Sequence, residues 1–246
     1  MAAVTLEVDG SVAVVTVEHR EVRNALTPEM CVELCDICDA IDARPDVGAA
    51  VIRGADGTFC SGADTRRWSA DVDWAGAGSE MVSTIYEGFA RVGRLTVPTV
   101  AAVRGAAVGA GLNLMLACDL RVVGDDARLV AGFTRVGIHP GGGFFTLLAR
   151  VGGWEVTAAM GLFGEALDGR GAVDHGLAWA AVPDADVDAR ALELASAAST
   201  DPELARRVVK TMRQELGPPA LGLEVARELE RGLQIWSLHR RFGDRR

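Results

Sequence analysis

The residues with the clearest chemical potential sit in glycine-rich turns and carry little charge. Residues 108–121 read VGAGLNLMLACDLR: small residues run into an apolar helical pattern, and Asn113 stands where the helix begins. A helix start presents unpaired N–H groups and the positive end of the helix dipole, so it holds negative charge. Glycine and alanine let a ligand touch that backbone. The competing explanation is close packing of a helix on a sheet. A second turn, Thr58-Phe-Cys-Ser-Gly-Ala-Asp64, also follows a strand pattern. Two such turns could each aim one N–H at the same oxygen, an oxyanion hole made of backbone alone.

Side-chain candidates are few. His139 precedes Pro140, and a histidine titrates near neutral pH; the alternative is a hydrogen-bonded turn histidine. Asp64 suits a cap. Asp71, Asp73, Glu80 and Glu87 fall on or after a polar loop and read as solvated. Asp119 reads as structural, and His19, His175 and His239 show no pattern. Arg66 and Arg67 could meet an anionic ligand or simply face solvent. Cys31, Cys35 and Cys38 have a spacing used for iron–sulfur clusters. Offsets of four and seven on a helix instead place them on one apolar stripe with Leu34 and Ile41. No H-x-x-x-H spacing, dinucleotide fingerprint or G-x-S-x-G elbow appears, so no metal, nicotinamide cofactor or serine nucleophile is expected.

These residues need a scaffold, and 246 residues with 49% hydrophobic content supply one. A hairpin is predicted around Asp9-Gly10, joining strands 4–8 and 12–18. A helix over 28–43 is capped by Thr27 with Pro28 in its first turn. Strands follow at 47–53, 99–104, 120–123, 129–131 and 178–182, with a helix at 81–95. Residues 140–143 break the chain, and 186–198, 202–216 and 219–242 read as helices. The organisation is a mixed α/β core, 1–185, and a helical region, 186–246. A net charge of −9 argues against nucleic acid. The longest uncharged apolar run, 105–118, is too short and glycine-rich to span a bilayer. The acidic start lacks a leader pattern, so a cytoplasmic location is expected.

Taken together, the motifs resemble the crotonase superfamily, also called the enoyl-CoA hydratase/isomerase family. They are Arg23-Asn-Ala-Leu26, Phe59-Cys-Ser-Gly-Ala-Asp64, residues 97–111 (VPTVAAVRGAAVGAG), Ala117-Cys-Asp-Leu-Arg121, Gly137-Ile-His-Pro-Gly-Gly-Gly143 and Ala172-Val-Asp-His-Gly-Leu177. The resemblance implies a crotonase-like (ClpP/crotonase) spiral of ββα units whose C-terminal helices build trimers or dimers of trimers. It implies an acyl-CoA ligand from fatty acid metabolism, with coenzyme A as part of the substrate and no other cofactor. The oxyanion donors would be the N–H groups of Ala63 and Ala110, given room by Gly62 and Gly111. The surrounding substrate contacts would include Ser61, Asp64, Arg66, Gly109, Phe133, Pro140 and Gly141.

The two family positions that carry glutamate in hydratases match Asn113 and Phe133. An amide and a phenyl ring cannot exchange protons, and a positioned acid or base contributes about 10²–10⁴-fold. Ordinary hydration is therefore not expected. His139, a loop carboxylate or a water held by Asn113 would move protons in an isomerisation, C–C cleavage, thioester hydrolysis or slow hydration. A non-catalytic acyl-CoA carrier or sensor is the alternative. The chain stops at FGDRR (242–246), where many relatives run on toward a neighbouring subunit's coenzyme A; that contact is not expected here.

Overall fold

The computed structural model describes residues 2–242, with the side chains of Arg67, Leu223, His239, Arg241 and Phe242 outside the described set. Strands β1 (Ala3–Asp9) and β2 (Val12–Glu18) form the expected hairpin, turning at Gly10 with φ 57°. Helix α1 (Pro28–Asp42) starts where Thr27 Oγ1 accepts the Met30 N–H at 3.2 Å. Then come β3 (Ala49–Gly54), α2 (Ala77–Val92), β4 (Thr99–Val103), β5 (Ala106–Val108), α3 (Ala110–Ala117), β6 (Leu120–Gly124), β7 (Arg128–Val130) and α4 (Phe144–Gly161). The remainder is β8 (Ala166–Leu167), α5 (Gly169–Asp174), β9 (Ala180–Val182), α6 (Val187–Ala198), α7 (Pro202–Leu216) and α8 (Leu223–Phe242).

The larger sheet runs β1-β2-β3-β4-β6-β9, and every pair after the hairpin is parallel. The smaller sheet runs β5-β7-β8, and Cys60 joins its edge through a bridge to Ala107. One pattern recurs three times: a strand in the large sheet, a short strand or bridge in the small one, then a helix. It is met by β3–Cys60–α2, β4–β5–α3 and β6–β7–α4. This is the spiral of ββα units that the motifs implied.

Both faces of the large sheet are covered, as parallel strands require. One face meets α1, α2 and α3 through Leu34, Phe89, Leu112 and their neighbours. The other meets α6, whose Val187, Ala191 and Ala195 repeat every four residues against Val14, Val51, Val100 and Val122. The first helix after residue 186 therefore serves the sheet. Cys31 and Cys38 are buried in α1; Cys31 lies where a side chain at Gly88 of α2 would collide, at 2.7 Å. That close approach is helix packing through small residues.

Three departures have local causes. Helix α2 begins at Ala77 rather than 81, because Asp73 Oδ1 accepts the N–H groups of Ala75 and Gly76 and turns the chain early. Helix α4 carries little local signal: no side chain caps it, and Gly153 (φ 71°) kinks it. Strand β5 has three residues, too few for a periodic signal. No described helix is long and apolar enough to cross a membrane.

Candidate functional site

The site begins with a template, residues 19–26, that shapes the first small-residue turn. Asn24 is buried. Its Oδ1 accepts the His19 N–H at 2.8 Å, and its Nδ2 donates to the carbonyls of Ala55 (2.8 Å) and Thr58 (2.6 Å). Ser61 donates from its N–H to Arg23 O and from its hydroxyl to Val22 O. Leu26 then pairs across the turn: its N–H donates to Gly62 O at 2.8 Å, and Asp64 N–H donates to its carbonyl at 2.8 Å. Backbone groups alternate in an extended segment. With Gly62 and Asp64 both turned toward Leu26, the Ala63 N–H faces away from it, on the side where Ala63 lines a cavity.

The second turn is stitched to the first. Phe59 N–H donates to Arg104 O (2.8 Å), Cys60 N–H to Ala106 O (3.0 Å) and Val108 N–H to Cys60 O (3.0 Å). Ala110 opens α3, where its N–H has no acceptor within the helix. Two glycines allow the turns to touch. Gly62 has φ 115°, and a Cβ there would sit 3.1 Å from Val108 O. A Cβ on Gly111 would sit 2.3 Å from Cys60 O, a collision with backbone that no rotamer relieves.

Both turns open on a cavity of about 610 Å³. Nine of the expected residues line it: Ser61, Gly62, Ala63, Gly109, Ala110, Asn113, Phe133, His139 and Gly141. Trp68 and Trp74 also line it, their rings edge to face at 5.5 Å. Phe133 packs edge-on against Phe144 at 5.2 Å. Among the described residues no carboxylate lines this cavity. The wall from α2, Val82, Ile85 and Tyr86, lies outside the expected set, although Val82, Tyr86 and Phe89 share one helical stripe.

Two polar side chains on the cavity have fixed orientations. Asn113 is 1% exposed, and its Nδ2 donates to Gly141 O at 3.0 Å. A carbonyl only accepts, so Oδ1 must point the other way, and this buried oxygen has no partner. His139 is exposed; its Nδ1 lies 2.6 Å from Pro140 O and so carries the proton. In the tautomer with its proton on Nδ1, Nε2 is an acceptor.

Other expected residues lie elsewhere. Gly111 is behind the cavity wall, against Cys60, and Pro140 contributes only its carbonyl to His139. Asp64 and Arg66 line a separate polar cleft with His19, Thr27 and Glu33. Arg66 donates to both Asp64 oxygens at 2.7–3.1 Å and to His19 Nε2 at 3.1 Å. Its hydrogen bonds hold the Asp64 carboxyl below the usual carboxylate range. These groups satisfy one another rather than the cavity, because the arginine side chain turns back to its own cap. The Arg67 side chain and His239's side chain lie outside the described residues, as do residues 243–246. Asp73 accepts from the Ala75 and Gly76 N–H groups in the turn before α2, and Glu87 pairs with Arg94. Asp119 is a brace: it accepts from Thr99 N–H and hydroxyl and from Arg213.

Residues 7–234 match the model of the enoyl-CoA hydratase/isomerase family. The chain belongs to this family. It is 42% identical over 239 residues to the protein named "Probable enoyl-CoA hydratase EchA14" of Mycobacterium tuberculosis H37Rv, covering 96% of this chain and 92% of that one. Among solved structures, an enoyl-CoA hydratase homologue of Thermobifida fusca YX in complex with CoA superposes with a TM-score of 0.85 at 29% identity. It covers 97% of this chain and 94% of that one. The T. fusca structure in complex with acetoacetyl-CoA gives 0.85 at 30% identity, covering 97% and 96%. The crotonase fold is thus shared along nearly the whole length, and the two stitched turns lie inside the family match.

Proposed function

We propose that this chain is an enzyme that binds an acyl-CoA thioester, sets its carbonyl oxygen between the N–H groups of Ala63 and Ala110, and stabilises the enolate formed there. The observation that carries this reading is the contact between the two small-residue turns, which brings Ala63 and Ala110 to one cavity. Fixed N–H dipoles aimed at developing charge need no reorganisation, and losing one such donor costs about 10²–10³ in turnover. The CoA and acetoacetyl-CoA bound by the T. fusca structures support the ligand class.

The proton is moved by His139 Nε2, whose lone pair is left free by the Pro140 contact. With Asn113 and Phe133 where family hydratases carry glutamates, water is not activated by a carboxylate, so hydration is slow. The reaction is instead isomerisation, C–C cleavage or thioester hydrolysis at an enolisable acyl group. The alternative, a carrier or sensor of acyl-CoA, is favoured by one observation: among the described residues the cavity wall contains no carboxylate. We place the working form as a trimer or dimer of trimers. Trp154, Phe163 and Trp179 are 86%, 80% and 62% exposed and offer the apolar area that such contacts cover. Light scattering on the purified protein should give a multiple of three chains.

The deciding experiment incubates the protein with saturated, 2-enoyl, 3-enoyl and aromatic acyl-CoAs in deuterated water and follows mass. Deuterium entering the acyl α-carbon, or product formation, is expected. Tight binding with no exchange on any thioester would establish the carrier and end the enzyme reading.

A further inference from the structure

The chain holds five tryptophans, seven phenylalanines and a single tyrosine, and they are not spread evenly. Trp68, Trp74, Tyr86 and Phe133 line the candidate cavity from three separate places: the loop before α2, α2 itself and the turn after β7. Each has a second ring against it. Trp68 and Trp74 meet each other, Tyr86 meets Phe89 at 5.9 Å, and Phe133 meets Phe144 at 5.2 Å. Phe144 in turn meets Phe145, which faces the His139 ring at 6.3 Å. Resting on the acyl-CoA reading above, we infer that this cavity selects arylacyl groups, in which an aromatic ring is joined to the thioester carbon through a short carbon spacer.

The ring geometry favours a flat ligand. Aromatic pairs gain from edge-to-face and offset contacts beyond the area they bury. Interplanar angles of 78° for Trp68 with Trp74 and 64° for Phe133 with Phe144 show lining rings held edge to face by their partners. Trp74 is tied further, its Nε1 donating to Ser69 O at 3.1 Å. Rings held this way do not turn to follow a flexible chain. A linear acyl chain also gives up freedom at every bond it fixes, whereas a ring arrives already rigid. The spacer follows from where the aromatic wall begins. A Cβ on Gly109, the residue before Ala110, would sit 3.8 Å from Phe133 Cε1, so this ring stands beside the oxyanion turn. The Tyr86 hydroxyl stands where a side chain at Gly141 would be. The ligand ring therefore lies within a few carbons of the thioester. It is not attached directly, because a benzoyl group has no hydrogen on the carbon next to the thioester and yields no enolate.

The test is equilibrium binding to the full chain of three ligands with equal carbon number: 3-phenylpropanoyl-CoA, 3-cyclohexylpropanoyl-CoA and nonanoyl-CoA. The saturated ring and chain bury at least as much apolar surface as the phenyl ring, so burial alone never ranks the aromatic ligand first. Ring–ring contacts reverse that order, and the phenyl ligand should bind about three- to tenfold more tightly than either of the others. Trp74→Leu, Tyr86→Leu and Phe133→Leu keep an apolar wall but remove a ring, and one or more of them should shrink the phenyl-to-cyclohexyl ratio. If none of these variants folds, the wild-type ratio decides by itself. Equal or weaker binding of the phenyl ligand, or a ratio that every folded variant leaves unchanged, overturns the inference while leaving acyl-CoA binding intact. No binding of any of the three would instead sink the acyl-CoA reading itself.

Discussion

Two clefts lie near the 58–66 turn and teach opposite lessons about what a functional residue looks like. The rear cleft holds His19, Asp64, Arg66 and Glu33, side chains usually suspected of chemistry. Each has a partner: Arg66 on Asp64 and His19, His19 Nδ1 on Ala25 O, and Glu33 on the Val4 N–H. The other cleft is walled by alanine, glycine and apolar rings, yet among the described residues two of its lining residues carry buried polar atoms without a hydrogen-bond partner, Asn113 Oδ1 and Trp68 Nε1. Reactivity toward a ligand follows unspent hydrogen-bonding capacity rather than formal charge.

The largest test of this contrast is Gly111→Val. The new side chain meets Cys60 O at 2.3 Å from its first carbon, so the two turns must part. Thioester turnover should fall at least ~10²-fold, read by the exchange assay, with folding checked by circular dichroism. Wild-type turnover in a folded variant would show that the two donors need not be adjacent. Next in size is His139→Gln, which should lower turnover at least ~10-fold while leaving acyl-CoA affinity close to wild type. An unchanged rate would remove His139 from the chemistry.

The rear cleft should respond differently, in stability rather than rate. Arg66 holds the Asp64 carboxyl low, so its contribution is present above the unfolded carboxylate pKa and is lost as pH falls through the depressed folded value. Asp64→Asn should therefore flatten the acid arm of the melting-temperature profile below about pH 4, with little change at pH 7. The effect is small, because Arg66 is half exposed to solvent. An acid arm identical to wild type would mean that the pair contributes nothing.

The smallest effect concerns the thiols. Burial pushes Cys38, Cys60 and Cys118 up to about 12, and Cys31 higher still. Cys35 is only partly buried, so a neutral-pH alkylating reagent should modify it well before the other four in the native protein. Unfolding should release all five; mass spectrometry counts the adducts. Early labelling of Cys60 would show that the first turn opens in solution.

Much of the site is legible in the order of amino acids. Small residues at 60–63 and 107–111 mark turns where backbone must be approached, and their order along the chain carries the family resemblance. Thr27 before Pro28 and Asp9-Gly10 before a second strand set local geometry through contacts within a few residues, so spacing alone reveals them. The Cys31, Cys35 and Cys38 stripe is readable in the same way.

Tertiary structure decided the rest. Whether Asp64 faces substrate or its neighbour Arg66 depends on which way a long side chain folds back, and no spacing encodes that. Tyr86 reaches the cavity because α2 lies across α3, a packing between segments distant in sequence. Asn113 is the clearest case. Its type excludes proton transfer at once, but its role hangs on Gly141, 28 positions away, whose carbonyl takes the amide N–H while the buried oxygen is left without a partner. Local sequence sets which groups are present; long-range hydrogen bonds decide which of them remain unspent.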